Sequence, residues 1–149
     1  MKKGTLRDKV ANRIKRSKAD VFIMPDFADL GAYDYILSIL RGMVRAGQLI
    51  KIGRGIYAKT EIDEDGKVHL TKFIGDLARQ ALKKYGVETN HSSYWHAYNA
   101  DISTQVPTGR RIAVSRRVRR KIGYNDYCVN FEFMGARYKQ RWLSPETNT

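Results

Sequence analysis

Between Tyr33 and Ala58 the chain changes its hydrophobic period once, from helical to alternating, with almost nothing in between. Ile36, Leu37, Leu40, Met43 and Val44 fall on one helical face, and Gly47 supplies the stop. Leu49-Ile50-Lys51-Ile52 and Ile56-Tyr57-Ala58 then flank Gly53-Arg54-Gly55. Glycines tolerate the positive φ of a tight hairpin turn, and β-branched residues suit the strands on either side. The spacing therefore predicts a helix from Tyr33 to Ala46 that feeds directly into a hairpin.

The residues upstream complete a pattern. Leu6, Val10 and Ile14 recur every four positions, with Ala11 beside them, and predict a helix over Thr5 to Ser17 capped by Thr5 or Gly4. Val21-Phe22-Ile23 reads as an apolar connector. Pro25 suits the first turn of a second helix, Pro25 to Leu30, which Gly31 closes. Helix, helix, glycine turn, helix and hairpin form the order of a winged helix-turn-helix, assigned to residues 1–60.

Glu61 to Lys67 is the acidic stretch, read as a linker or a hairpin turn, and it lacks the spaced ligands of a calcium loop. Residues 68–143 read as a second, basic unit of mixed helix and strand. Phe73, Ile74, Leu77, Ala78, Ala81 and Leu82 predict a helix from Thr71 to about Tyr85, ended by Gly86. Val87 to Thr89 suits a short strand and Ser92 to Asn99 a short helix. Arg111 to Ser115, Val118 to Ile122 and Val129 to Met134 suit strands, and Ser144 to Thr149 is a polar tail. The expected class is α+β: a winged helix-turn-helix followed by a small mixed α/β domain.

Charge narrows the function. The 149 residues carry 28 Lys and Arg against 15 Asp and Glu, a formal net charge of +13. Such an excess suits nucleic acid, an anionic surface or an acidic partner. No run approaches the ~18 apolar residues of a membrane span. Charged residues follow Met1-Lys2-Lys3-Gly4 where a signal peptide needs an apolar stretch, so a cytoplasmic, nucleoid-associated protein is expected. A single cysteine, Cys128, excludes an intramolecular disulfide and a cysteine zinc site within the chain.

If the stripe of helix 33–46 faces the core, Tyr33, Tyr35, Ser38, Arg41 and Arg45 lie outward. The early turns of a recognition helix enter the major groove, and an arginine there can fork onto guanine O6 and N7. Lys51 and Arg54 sit on the wing, where an arginine suits a narrow minor groove. Arg110, Arg111, Arg116, Arg117, Arg119, Arg120 and Lys121 crowd one acid-free segment. Were Val118 and Ile122 buried strand positions, Arg117, Arg119 and Lys121 would share the opposite face, as a second contact with nucleic acid. The N-terminal segment, with Lys2, Lys3, Arg13 and Lys15, is a further phosphate surface that carries no sequence information.

Asp26-Phe27-Ala28-Asp29-Leu30-Gly31, Leu37-Ser38 with Leu40, the run Gly47 to Ala58 and Ser103-Thr104-Gln105-Val106-Pro107 together resemble the AbiEi-type antitoxin regulators of type IV toxin–antitoxin operons. The resemblance spans about residues 5–133. Its glycine-rich wing is common to many winged helices, and its Ser-Thr-Gln-Val-Pro block is narrower. It implies an N-terminal winged helix that binds an inverted-repeat operator on double-stranded DNA and represses its own operon, as a monomer pair or a homodimer. It also implies a C-terminal domain that adds DNA contacts and, in toxin-paired members, counters a nucleotidyltransferase-type toxin. The chain departs from the family at Ile39, where an arginine is common, and in a shorter, more basic second half.

Catalysis has little support. Cys128 has no evident base partner and reads as a small packed residue, and Glu132 alone does not hold a metal pair. His91 and His96, five apart, share no helical face, so neither an enzyme nor a metal or other cofactor is expected. Tyr94, Trp95 and Tyr98 read first as core aromatics and second as a stacking platform for single strands. The alternatives to an operator-binding repressor are a protein-interaction module that neutralises a toxin or host factor, and an RNA or single-strand binder.

Overall fold

The computed structural model describes residues 4–143. Lys2, Lys3 and the polar tail from Ser144 lie outside the described residues. Helix α1, Leu6–Arg16, starts at Thr5, whose hydroxyl accepts from the Asp8 N–H while the Asp8 carboxylate accepts from the Thr5 N–H. This reciprocal pair satisfies two amides that a bare helix end would leave open.

Val21–Ile23 is a strand, β1, and not a connector. Three consecutive apolar residues are too few to reveal a period, and here they pair with the edge of a later strand. The expected helix from Pro25 to Leu30 is a single 3-10 turn, Met24–Phe27. Its polar residues are drawn away from a helical path. The Asp26 carboxylate accepts from the Ile23 N–H at 2.9 Å and from Lys84 at 2.6 Å, and Asp29 pairs with Arg13. Helix α2, Tyr33–Arg45, and the hairpin of β2, Leu49–Gly53, with β3, Ile56–Ile62, fall where the sequence places them. β1 and β2 both lie antiparallel to β3, in the order β1-β3-β2.

Strict alternation along these strands gives the sheet two buried faces. Phe22, Tyr57 and Leu49 pack with Val10, Ile36, Leu40 and Met43 of α1 and α2. Val21, Ile23, Ile52, Ile56 and Ala58 point the other way. Residues of the second half cover that other face. The Asp63–Lys67 backbone pair closes a hairpin turn, and β4, Val68–Leu70, extends the sheet from β3. Helix α3, Ile74–Lys84, buries Leu77, Ala78, Ala81 and Leu82 against Val21 and Ile56 in one apolar cluster with Ile112, Val114, Ile122 and Val129.

A second sheet follows. β5, Thr89–His91, precedes α4, Ser93–Asn99, whose N-cap Ser92 accepts from the Trp95 N–H. β6, Arg111–Val114, is central, antiparallel to β5 and parallel to the later strand Asn130–Phe133. Between them the chain forms no strand over Val118 to Ile122, contrary to expectation. Val118 and Ile122 bracket three consecutive cations, so a strand here would turn Arg120 into the apolar layer, and the segment crosses over unpaired. The hairpin of β7, Gly123–Tyr124, and β8, Tyr127–Cys128, comes before β9, Asn130–Phe133. A last helical turn, α5 at Ala136–Tyr138, runs into a wider π turn at Lys139–Leu143. Ala113 turns from the main cluster towards Met134, Tyr138 and Trp142. The fold is thus mixed α and β, as expected in class. Among the described residues no helix is long and apolar enough to cross a membrane.

Candidate nucleic-acid interface

Helix α2 buries Ile36, Leu40 and Met43, and this fixes its other face outward. Tyr33 and Tyr35 are 61% and 69% exposed, and Ser38, Arg41 and Arg45 are exposed beside them. The hairpin shares this side of the molecule. Lys51 stands opposite Tyr57 in the β2–β3 register, and cross-strand partners project to the same face of a sheet. Tyr57 packs under α2. Burial pushes its phenol pKa up, and nearby Arg41 pulls against that rise. Arg41 and Lys51 are thus exposed on two elements, α2 and β2, that share one core with Tyr57.

The wing tip is held from the opposite side. A Cβ on Gly53 would lie 2.8 Å from the Lys121 carbonyl oxygen, so the turn and the crossover segment touch through backbone. Gly55 takes φ +72°, a left-handed turn that favours glycine. Arg120 donates to the Arg54 carbonyl at 3.5 Å, and its guanidinium lies 4.0 Å over the Tyr85 ring. Lys51, Arg54 and Lys121 consequently line one open groove with Asn125 and Cys128. Cys128 is exposed there, not packed as expected.

The other expected cations divide. Lys15 is exposed on α1. Arg13 is committed elsewhere: it forks onto both oxygens of Asp29 and donates to the Asp26 carbonyl, tying α1 to the turn before α2. Its pKa is raised by the hydrogen bond to Asp29, and that of Asp29 is lowered by the same bond. Arg116 donates to the Tyr85 and Gly86 carbonyls at 3.1 and 2.7 Å, capping the end of α3. Without a strand, Arg117, Arg119 and Lys121 do not form the common face anticipated for them. Arg117 lies over Phe133 at 4.9 Å, whereas Lys121 meets the wing and Arg119 is exposed between. Arg110 stacks over Tyr127 at 5.0 Å. Arg111 lies over Tyr94 at 4.9 Å, with its Nε 3.8 Å from Glu132.

An aromatic assembly joins His91, Trp95 and His96, part of the stacking region read from the sequence, to Tyr138 and Trp142, which that reading did not include. His91 stacks on Trp95 with centroids 3.7 Å apart, and His96 stacks on Trp142 at 5.0 Å. The His91 and His96 rings meet edge to face at 6.3 Å, although no helical face joins them, because β5 and α4 fold back on each other. The Tyr138 hydroxyl donates to the His91 carbonyl, so it accepts from His96 Nε2 at 3.0 Å. His96 thus carries its proton on Nε2. Burial lowers the pKa of both histidines, and burial with the charge of Glu132 pushes Tyr138 up to about 12. Among the described residues no group of three or more His, Cys, Asp or Glu is arranged to hold a metal ion. The sequence signal for this assembly lies in Arg137 to Trp142, where Tyr138 and Trp142 are interleaved with Arg137, Lys139 and Arg141. Comparison with protein-family models, with curated proteins and with solved structures gives no match for this chain.

Proposed function

We propose that this chain is a sequence-specific binder of double-stranded DNA that represses its own operon, in the manner of the AbiEi-type regulators it resembles. The observation that carries the reading is that exposed Arg41 on α2 and exposed Lys51 on β2 stand on elements that share one core with Tyr57, beside a groove that adds Arg54 and Lys121. It gives a polar helix face and a basic wing a common side on which to meet a duplex. The succession of helix, strand, helical turn, helix and hairpin, with sheet order β1-β3-β2, supports a winged helix-turn-helix frame for them.

In this reading α2 enters the major groove, where Arg41 reads guanine and Ser38 and Tyr35 bond to base edges or phosphates. Arg54 reaches the adjacent minor groove. Arg119, Arg120 and Lys121 add phosphate contacts that position the protein without reading sequence. Arg13 and Arg116 have their own protein partners and act by holding α1 and α3. An inverted-repeat operator would be filled by two copies. Antitoxin activity and nucleoid association belong to the same proposal through the resemblance alone.

Fluorescence anisotropy tests it directly. The protein is titrated against a duplex from upstream of its own coding region, a scrambled duplex and a single strand, at low and moderate salt. A preference of about 100-fold for the upstream duplex, about 2.7 kcal/mol, supports an operator binder. Equal and steeply salt-dependent binding to all three overturns it, and leaves the charge as a generic attraction.

A further inference from the structure

Helix α4, β9 and the C-terminal turns enclose a cleft of about 480 Å³. Tyr94, Phe133 and Trp142 line it, with Arg137 and Arg141 at its rim and Glu132 within it. We infer that this cleft binds one unpaired nucleotide of a single-stranded nucleic acid, its base against the exposed rings of Tyr94 and Phe133 and its phosphate on Arg137 and Arg141. The inference is independent of duplex binding at the wing.

Three observations carry it. First, the rings are presented to solvent at a cost: Tyr94 is 50% and Phe133 43% exposed, although Ala113, Met134 and Tyr138 offer a buried cluster next to them. A volume of this size accepts a planar base with its sugar. Second, cations gather at the rings: Arg137 and Arg141 line the cleft itself, and from outside its lining Arg111 and Arg117 each cover one face of Tyr94 and Phe133 at 4.9 Å. Aromatic platforms edged by cations are the chemistry that holds single strands, since every base has a π-face and every linkage a charge. The arginines of the lining complement a phosphate.

Third, Glu132 fixes the direction of entry. Its Oε1 accepts the Ser93 N–H at 2.7 Å, so the carboxylate is held in place at the start of α4. A fixed carboxylate repels phosphate and accepts N–H, which turns the base inward and the backbone outward. It also discriminates between the pyrimidines. Cytosine presents an amino donor where thymine presents a carbonyl acceptor, so cytosine is preferred over thymine.

The test uses the full chain with oligo(dC) and oligo(dT) of about twelve nucleotides near neutral pH, a length within the span that such sites cover. The two tryptophans of the chain are Trp95 and Trp142, and Trp142 alone of them lines the cleft. Oligo(dC) is expected to quench tryptophan emission and to bind several-fold tighter than oligo(dT). Trp142→Phe should remove the quenching. Phe133→Ala should weaken single-strand binding about tenfold or more, with duplex binding unchanged. Glu132→Gln, which can both donate and accept, should erase the preference for oligo(dC) while keeping stacking. Tyr94→Ala serves as a second wall variant, because both rings are exposed and their loss leaves the buried cluster intact. Undiminished single-strand binding in both wall variants overturns the inference. So does loss of that binding on Lys51→Ala with Arg54→Ala, which would assign single strands to the wing groove. Failure of duplex binding alone would leave the cleft standing.

Discussion

Single arginines in this chain differ in what they are free to do. Arg13 spends its fork on Asp29, a partner sixteen positions away, whereas Arg41 is exposed on α2 beside Tyr57. Arg41→Ala is therefore expected to relax sequence preference by about 1–3 kcal/mol at one base pair, measured as the ratio of affinities for upstream and scrambled duplexes. Asp20 illustrates a structural acid. Burial opposes its ionisation, but hydrogen bonds from Lys72, Gln80 and Thr71 outweigh that and hold its pKa below 3.8. An acid depressed in the fold binds fewer protons there than in the unfolded chain, so its stabilisation is complete above about pH 4 and is lost as pH falls through the folded value. Melting temperatures from neutral pH to about 3 should fall more steeply for the native protein than for Asp20→Asn, which starts lower. Parallel curves would remove Asp20 from the acid response. Neither role was legible in the sequence, because the partners of Arg13 and Asp20 are defined only by tertiary contact.

At the scale of elements, the wing depends on a close backbone approach. Gly53→Ala places a methyl 2.8 Å from the Lys121 carbonyl, which cannot rotate away as a side chain would. Overpacking of this kind costs about 1–3 kcal/mol. The variant should lower the denaturation midpoint and weaken binding to every duplex alike, since Arg54 and Lys121 both shift. A variant with normal stability would show that the crossover segment yields. The long periodic elements, α1, α2, α3 and the β2–β3 hairpin, were legible because each carries a buried stripe, and α2, α3 and the hairpin also have a glycine at the turn that ends or joins them. β1 was not, since three apolar residues have no period. Val118 to Ile122 misled for a different reason: its two apolar residues stand four apart, but Arg120 between them breaks the alternation a half-buried strand needs. Within the proposed interface, α2 and the wing were readable from spacing, and the contact that joins Arg120 and Lys121 to the wing was not. The aromatic cleft depends on β9 and the C-terminal turns meeting α4, which pattern alone does not reveal.

For the molecule as a whole, charge and layering set behaviour together. If a duplex engages ~six phosphates through α2, the wing and the crossover segment, log affinity should fall against log salt with a slope near −5. An anisotropy series over salt concentration reads this slope, and Lys51→Ala with Lys121→Ala should flatten it by about two. A slope near zero would contradict the proposed interface. The layers also bear on how the chain is made. Val21, Ile23, Ile52, Ile56 and Ala58 lie on a sheet face whose covering residues extend to Val129. A ribosome extends the chain by roughly 5–20 residues per second, so the first sixty residues wait several seconds with an apolar face bare. During that interval the nascent protein is a client for chaperones and a hazard to its neighbours. An isolated fragment of residues 1–60 would keep that hazard permanently.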